Sequence, residues 1–138
     1  MGRMTGQGLM TSVLVVDDDL YSHDLLRRRL AQLGLTDVQV AQNGRDAEKL
    51  LDSMPSPPDV IICDIFMPEM DGIEFIAVLV KKHFTGGLIL MTGVDPDILD
   101  VAQSIAELQG LHVLGCFTKP MTMINLSIAI NLLDQIRL

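Results

Sequence analysis

Short apolar runs rich in β-branched residues alternate along the chain with longer segments in which apolar residues recur every three or four positions. The first pattern is typical of strands buried on both faces, and the second of amphipathic helices. Their alternation predicts βα units, and therefore a doubly wound α/β fold with a five-stranded parallel sheet and helices on both faces. The predicted strands are Ser12–Val16, 38–41, 60–63, 88–91 and 113–117.

Side chains that can cap helices mark the ends of the intervening segments. Asn43 is followed three residues later by Asp46, and Asp71 by Glu74, which is the spacing of a helix N-terminus. Gly34 follows the first amphipathic segment and suits a helix C-terminus. These signals agree with helices in the places that the apolar pattern predicts.

The length of 138 residues suits one domain, which we predict over residues 12–138 after a flexible tail at 1–11. A net charge of −8 argues against nucleic acid as a partner, because binding to nucleic acid depends on basic side chains that neutralise phosphates. No apolar stretch reaches the ~20 residues that span a bilayer. Cys63 and Cys116 lie in apolar runs and suit buried, reduced thiols. We therefore expect a cytoplasmic protein with no membrane contact.

Side chains suited to chemistry follow four of the five predicted strands, whereas the second ends in "AQNG" with nothing ionisable until Arg45. In a parallel sheet the carboxyl ends of the strands share one edge, where open α/β sheets bind their ligands. The residues predicted at this edge are Asp17, Asp18 and Asp19 after the first strand, Asp64 after the third, Thr92 after the fourth and Lys119 after the fifth.

Asp17, Asp18 and Asp64 would form an oxygen-rich pocket with about three negative charges, which suits Mg²⁺. Such a metal would offset their mutual repulsion and draw a phosphoryl group towards one carboxylate, which could then form an aspartyl phosphate. Lys119 supplies a cation and Thr92 a hydroxyl donor for the phosphoryl oxygens. For Asp19 we expect no more than a role as a helix-starting acid.

These residues, in this order and spacing, resemble the receiver domain of two-component response regulators, the family that includes the bacterial chemotaxis regulator. The resemblance covers the chain from about Ser12 onward. The matching residues are Asp17-Asp18, Asp64 in "CDIFMPEMDG", Thr92 in "LILMTG" and Lys119-Pro120 in "CFTKP".

The resemblance implies a flavodoxin-like sheet of strand order 2-1-3-4-5 and a Mg²⁺ site. Asp64 would be the phosphoacceptor, and it would bind Mg²⁺ together with Asp18 and the backbone carbonyl of Phe66. Asp17 would act through metal-bound water.

The resemblance further implies that Thr92 and Lys119 contact the phosphoryl group and that the Lys119-Pro120 bond is cis. The phosphoryl donor would be a sensor histidine kinase or a phosphotransfer protein. Phosphorylation would switch the conformation and control an output domain or partner. The chain would thus be a signalling switch, and it would catalyse no reaction beyond its own phosphorylation and dephosphorylation.

Two features depart from the family pattern. Cys116 stands where receivers usually carry a switch aromatic, and Phe117 follows on the alternate face of the strand. Phe66 and Val94 occupy positions from which polar side chains in relatives help to orient hydrolytic water. We therefore expect slow self-dephosphorylation.

The last predicted helix, residues 121–138, has a polar stripe formed by Ser127, Asn131 and Asp134. The remaining apolar arc is wider than the ~100° that packing on one sheet face needs. Two readings remain open: a deeply buried helix, or a partner surface for a homodimer or an output domain.

Two other functions fit part of the pattern. A Mg²⁺-dependent phosphatase of the haloacid dehalogenase type would use Asp17 as nucleophile. In that family a D-x-D motif is followed by a small hydroxyl residue, whereas Leu20 and Tyr21 follow Asp19 here. A pseudo-receiver would bind a partner without phosphorylation. His23, His83 and His112 share no ligand spacing, and we expect surface or partly buried positions for them.

Overall fold

A computed structural model describes residues 11–67 and 69–136. Strands and helices alternate along them, and each predicted strand is found within one residue at either end. In chain order the elements are β1 (Ser12–Val16), α1 (Leu20–Gln32), β2 (Asp37–Ala41), α2 (Gly44–Ser53), β3 (Val60–Asp64), α3 (Gly72–Lys81), β4 (Gly87–Thr92), α4 (Asp97–Leu108), β5 (His112–Thr118) and α5 (Met123–Ile136).

The five strands form one parallel sheet in the order β2-β1-β3-β4-β5, which confirms the predicted fold class. The register pairs Val16 at the end of β1 with Cys63 of β3. It pairs Asp64 at the end of β3 with Met91 of β4. Residues that follow β1, β3 and β4 therefore lie side by side at one edge of the sheet.

Helices cover both faces of the sheet, and alternate residues of each central strand point to opposite faces. Leu14 and Val16 pack with α2, α3 and α4, whereas Val13 and Val15 pack with α1 and α5. Burial on both faces explains why the strands read as continuous apolar runs. It also gives the carboxyl edge a rigid base.

The predicted helix ends carry the expected hydrogen bonds. Asn43 Oδ1 accepts from the N–H of Asp46 at 2.8 Å, and Asp71 Oδ1 accepts from the N–H of Glu74 at 2.9 Å. Each bond satisfies a backbone donor that the first turn of a helix leaves free. Gly34, with φ of +83°, follows α1 in the left-handed conformation that glycine adopts without strain.

Helix α5 buries one apolar side and exposes another. Leu126, Ala129 and Leu133 lie in the core, whereas Ile124, Ile128 and Leu132 are 72%, 54% and 38% exposed. The apolar arc is therefore wider than the buried face of the helix. Contact of the exposed side with a second copy of the chain or with an output domain remains a prediction.

Cys63 and Cys116 are both free, the first buried and the second half-buried. In the described part of the chain, no helix is both long enough and apolar enough to cross a bilayer. Residues 1–10 of the predicted tail lie outside the described residues. Thr11, directly before β1, is buried.

Gly72 is expected to be intolerant of a side chain. A Cβ at this first residue of α3 would lie 2.7 Å from the Cα of Ile65 and 3.0 Å from the backbone oxygen of Asp64. Because backbone atoms cannot rotate away, we expect Gly72→Ala to lower the free energy of unfolding by about 1–3 kcal/mol, measured by urea denaturation. Gly34→Asn is the control, since open space surrounds Gly34 and Asn tolerates its conformation. An equal or larger loss in the control would contradict the prediction.

Candidate functional site

Asp17 follows β1 directly and has no exposed surface. Its N–H donates to the carbonyl oxygen of Ala41 at 3.0 Å, and its Oδ1 accepts from the N–H of Asp19 at 2.9 Å. Its Oδ2 lies 2.8 Å from Nζ of Lys119. A buried carboxylate has lost its hydration, and these contacts offset part of that loss, although Oδ2 has an ion pair and no hydrogen bond among the described residues.

Asp64 is the last residue of β3 and is 4% exposed. Its Oδ1 accepts from the N–H of Phe66 at 3.2 Å, and its Oδ2 accepts from Nζ of Lys119 at 3.1 Å. A buried strand therefore holds the acceptor predicted from the sequence, with one oxygen towards the following loop and the other towards a cation.

Lys119, directly after β5, connects acids at the ends of two other strands, β1 and β3. Its ammonium lies between the carboxylates of Asp17 and Asp64, at 2.8 and 3.1 Å. Its backbone N–H donates to the carbonyl oxygen of Thr92 at 2.8 Å. The bond to Pro120 is cis. Side chain and backbone together therefore connect the ends of β1, β3 and β4 to the loop after β5.

Burial raises the pKa of Asp64; Lys119 works against this effect and Asp17 adds to it, and the net shift is upward. Burial lowers the pKa of Lys119, but the hydrogen bonds and charges of Asp17 and Asp64 outweigh it, so that its pKa lies above the usual value. The lysine is thus held firmly in its charged form. The acid that faces it is less easily ionised than an ordinary aspartate.

The acid cluster has the composition of a divalent cation site. Asp17, Asp18 and Asp64 each offer a carboxylate oxygen, and these oxygens lie within 4.8 Å of one another. Asp18 is exposed, so the cluster is open on one side. Hard oxygen ligands and an open side that admits water are what Mg²⁺ requires. The residues present therefore fit the metal that the sequence predicts.

Thr92, the last residue of β4, is fully buried. Its Oγ1 accepts from the N–H of Val94 at 3.2 Å, which leaves its own hydroxyl proton available to another acceptor. Its backbone is bonded to Lys119, which places both residues at the same sheet edge as the acids. Phe66 also lies here and is 46% exposed. Binding of Mg²⁺ by the backbone carbonyl of Phe66 remains a prediction.

Cys116 and Phe117 lie on opposite faces of β5, as the alternation predicts. Cys116 packs on the α4 side, where its thiol lies 3.5 Å from Oε1 of Gln103. Burial, together with the charges of Glu107 and Asp100, raises the pKa of the Cys116 thiol to about 11. Phe117 packs with α1 and α5. On the α4 side, a protonated thiol and an amide therefore connect β5 to the helix.

His23 is a residue of this site that the sequence reasoning missed. It lies in the first turns of α1 and is 5% exposed, so the expectation of a surface or partly buried position is wrong for it. Its Nε2 is hydrogen-bonded to the backbone oxygen of Asp17. A signal was available: His23, Leu26 and Leu30 share the helical spacing of a buried stripe. His83 and His112 are exposed, as expected.

We expect Asp64→Asn to raise the free energy of unfolding of the metal-free protein at neutral pH. Asn removes a carboxylate whose ionisation burial disfavours, and it keeps an oxygen that can accept from Phe66. Because the folded-state pKa of Asp64 is raised, the wild type is relatively more stable below that pKa and loses this stability as the pH rises through it. The gain from Asn should therefore shrink in acid.

Urea denaturation in the presence of a chelator measures this effect. Asp37→Asn, at an exposed position on β2, removes the same unit charge without burial and serves as the control. Equal changes in the two variants at neutral pH would contradict the prediction.

Comparisons with known proteins agree with this geometry. The family model described as the response regulator receiver domain matches residues 13–131. The transcriptional regulatory protein YdfI of Bacillus subtilis is 38% identical over 84 residues, which is 60% of this chain and 38% of YdfI. This chain thus corresponds to well under two thirds of that relative.

Solved structures share the fold. A response regulator from Colwellia psychrerythraea has 32% sequence identity and a TM-score of 0.74, covering 91% of this chain and 98% of that one. The response regulator TrrA from Thermotoga maritima, solved in complex with Mg²⁺ and BeF, has 27% identity and a TM-score of 0.73, covering 90% and 99%. The chain belongs to the response regulator receiver domain family.

Proposed function

We propose that this receiver domain accepts a phosphoryl group on Asp64 in a Mg²⁺-dependent reaction. The donor would be the phosphohistidine of a sensor histidine kinase or a phosphotransfer protein. The observation that carries the proposal is the position of one ammonium, that of Lys119, between Asp64 and a second buried acid at an open cluster of carboxylates. Family membership supports the receiver over a phosphatase of the haloacid dehalogenase type.

Asp17, Asp18, Asp64 and the backbone carbonyl of Phe66 would hold the metal. When bound, Mg²⁺ supplies positive charge that offsets the carboxylates and attracts phosphoryl oxygens. Support comes from the proximity of the three carboxylates and from the Mg²⁺ and BeF complex of the related TrrA.

In the transfer, a carboxylate oxygen of Asp64 forms a bond to phosphorus while the bond from phosphorus to the donor's imidazole nitrogen breaks. The imidazole keeps the electron pair and takes up a proton. Lys119 lies 3.1 Å from the carboxylate of Asp64 and could donate a hydrogen bond to an oxygen of a phosphoryl group bound there. The free hydroxyl proton of Thr92 can be donated to another. The protein therefore contributes position and charge, which phosphoryl transfer mainly requires.

The phosphoryl group adds negative charge and new acceptor oxygens at the end of β3. Thr92 and Lys119 can bind these oxygens, and both lead directly into loops: 93–96 before α4 and 119–122 before α5. We expect the conformational switch to move these loops and the start of α4.

Large apolar side chains near the acid cluster suit a protein phosphodonor. Leu20, Tyr21, Phe66 and Val94 are between 46% and 78% exposed and come from the starts of α1 and of the loops after β3 and β4. The exposed side of α5, formed by Ile124, Ile128 and Leu132, suits a homodimer or an output domain. We expect no nucleic acid contact, because the net charge is −8.

Acetyl phosphate with Mg²⁺ should label the chain on Asp64, located by mass spectrometry of the peptides. Labelling should be lost in Asp64→Asn and in a chelator, because the nucleophile or the metal is then missing. Asp37→Asn should label like the wild type, since Asp37 is exposed and lies on the edge strand β2. A label on Asp17 would indicate the phosphatase type of chemistry, and no label would favour a pseudo-receiver. Either outcome would overturn the proposal.

Self-dephosphorylation should be slow and should accelerate several-fold in Phe66→Gln. An amide at this exposed position beside Asp64 can orient water, whereas a phenyl ring cannot. Loss of the label from the isolated protein after removal of the donor measures the rate. Val101→Gln, at an exposed position on α4, is the matched control. A half-life of only seconds in the wild type would contradict the expectation.

A further inference from the structure

The backbone carbonyl of Asp17 is buried at the end of β1 and needs a donor. Asp17 has no exposed surface; its N–H is hydrogen-bonded to Ala41, its Oδ1 accepts from the N–H of Asp19, and its Oδ2 forms an ion pair with Lys119. A buried carbonyl without a donor costs free energy comparable to a lost hydrogen bond. The donor that the fold provides is the Nε2 of His23.

The contact determines the proton position on the ring. A carbonyl oxygen only accepts hydrogen bonds, so the Nε2 of His23 must carry a proton. His23 is itself held in place, because it is 5% exposed and its backbone N–H donates to the carbonyl of Asp19 at 3.2 Å. The ring is therefore a fixed donor beneath the acid cluster.

The carbonyl of Asp17 belongs to the peptide plane that ends at the Cα of Asp18. Because a peptide unit is rigid, holding this carbonyl also holds the N and Cα atoms of Asp18. The N–H of Asp19, bonded to Oδ1 of Asp17, holds the peptide on the other side of that Cα, and the two peptides together set the direction of the Asp18 side chain. Within residues 11–67 and 69–136, the Asp18 carboxylate has no hydrogen bond or ion pair to another residue. Its aim into the cluster thus depends on its backbone, which His23 holds on the side of Asp17.

We propose that His23 is a positioning residue of the metal site: it fixes the Asp17–Asp18 peptide and so sets the affinity of the acid pair for Mg²⁺. It contacts neither the metal nor the phosphoryl group. The inference deepens the proposed function and rests on its Mg²⁺ site. Residues that orient metal ligands from outside typically change metal affinity by about 10- to 100-fold when they are replaced.

The test compares two variants of the full chain that differ in one property. His23→Gln keeps an N–H donor near the place of Nε2, whereas His23→Met has similar length and no donor. Mg²⁺ affinity is measured by calorimetry with no phosphodonor present. We expect His23→Met to bind Mg²⁺ about tenfold more weakly and His23→Gln to stay within about threefold of the wild type.

Leu30→Ala is the control for loss of stability alone. Leu30 is fully buried in the same helix, on its core side and two turns further along, so the variant should be destabilised but should bind Mg²⁺ like the wild type. Wild-type affinity in a folded His23→Met would overturn the inference, and so would equal weakening in His23→Met and His23→Gln.

Labelling by acetyl phosphate separates a metal effect from a chemical one. In His23→Met the labelling rate should fall at low Mg²⁺ and return towards the wild-type rate at saturating Mg²⁺. A rate that stays low at saturation would overturn the assignment to metal affinity. A wild type that binds Mg²⁺ in a His23-dependent way but takes no label would overturn the proposed function and leave this inference intact.

The wild type provides a test that requires no variant. Two-bond ¹H–¹⁵N spectra report which ring nitrogen of His23 is protonated, and a protonated Nε2 is expected. An unprotonated Nε2 would overturn the inference even if His23→Met failed to fold.

Discussion

The shared ammonium of Lys119 is the interaction on which the candidate site depends. Two carboxylates at the ends of neighbouring strands repel each other and have lost their hydration, and one cation from a third direction makes their burial tolerable. The arrangement leaves the cluster short of positive charge, because Asp18 adds a third carboxylate. The remaining negative charge favours the approach of a further cation. The same lysine can interact with a new anion without leaving its place.

Much of the fold could be predicted because burial on both faces leaves a clear trace in the sequence. The central strands read as unbroken apolar runs, and their ends were placed within one residue. Once the sheet is known to be parallel, its topology places Asp17, Asp64, Thr92 and Lys119 at one edge whatever the details of packing. The prediction that the acids among them bind a divalent cation then follows from their negative charge. The strand order itself came from the resemblance to a family and not from the apolar pattern.

Contacts between a side chain and a distant backbone or polar group could not be predicted in the same way. The bond from His23 to the carbonyl of Asp17 depends on how α1 folds back over β1, and no spacing of residue types encodes it. The contact of Cys116 with Gln103 likewise requires the relative placement of β5 and α4. Both contacts involve residues that look unremarkable in isolation. Periodicity determines which face a residue occupies, but not which atom it meets there.

The exposed side of α5 belongs to a helix with little charge, although the molecule as a whole is acidic. From Met123 to Ile136 the helix carries one ionisable residue, Asp134, in a chain whose net charge is −8. Another acidic surface could therefore approach along this helix with less electrostatic opposition than along the carboxyl edge of the sheet. Changes in ionic strength would accordingly alter encounters at the acid cluster more than encounters at this helix.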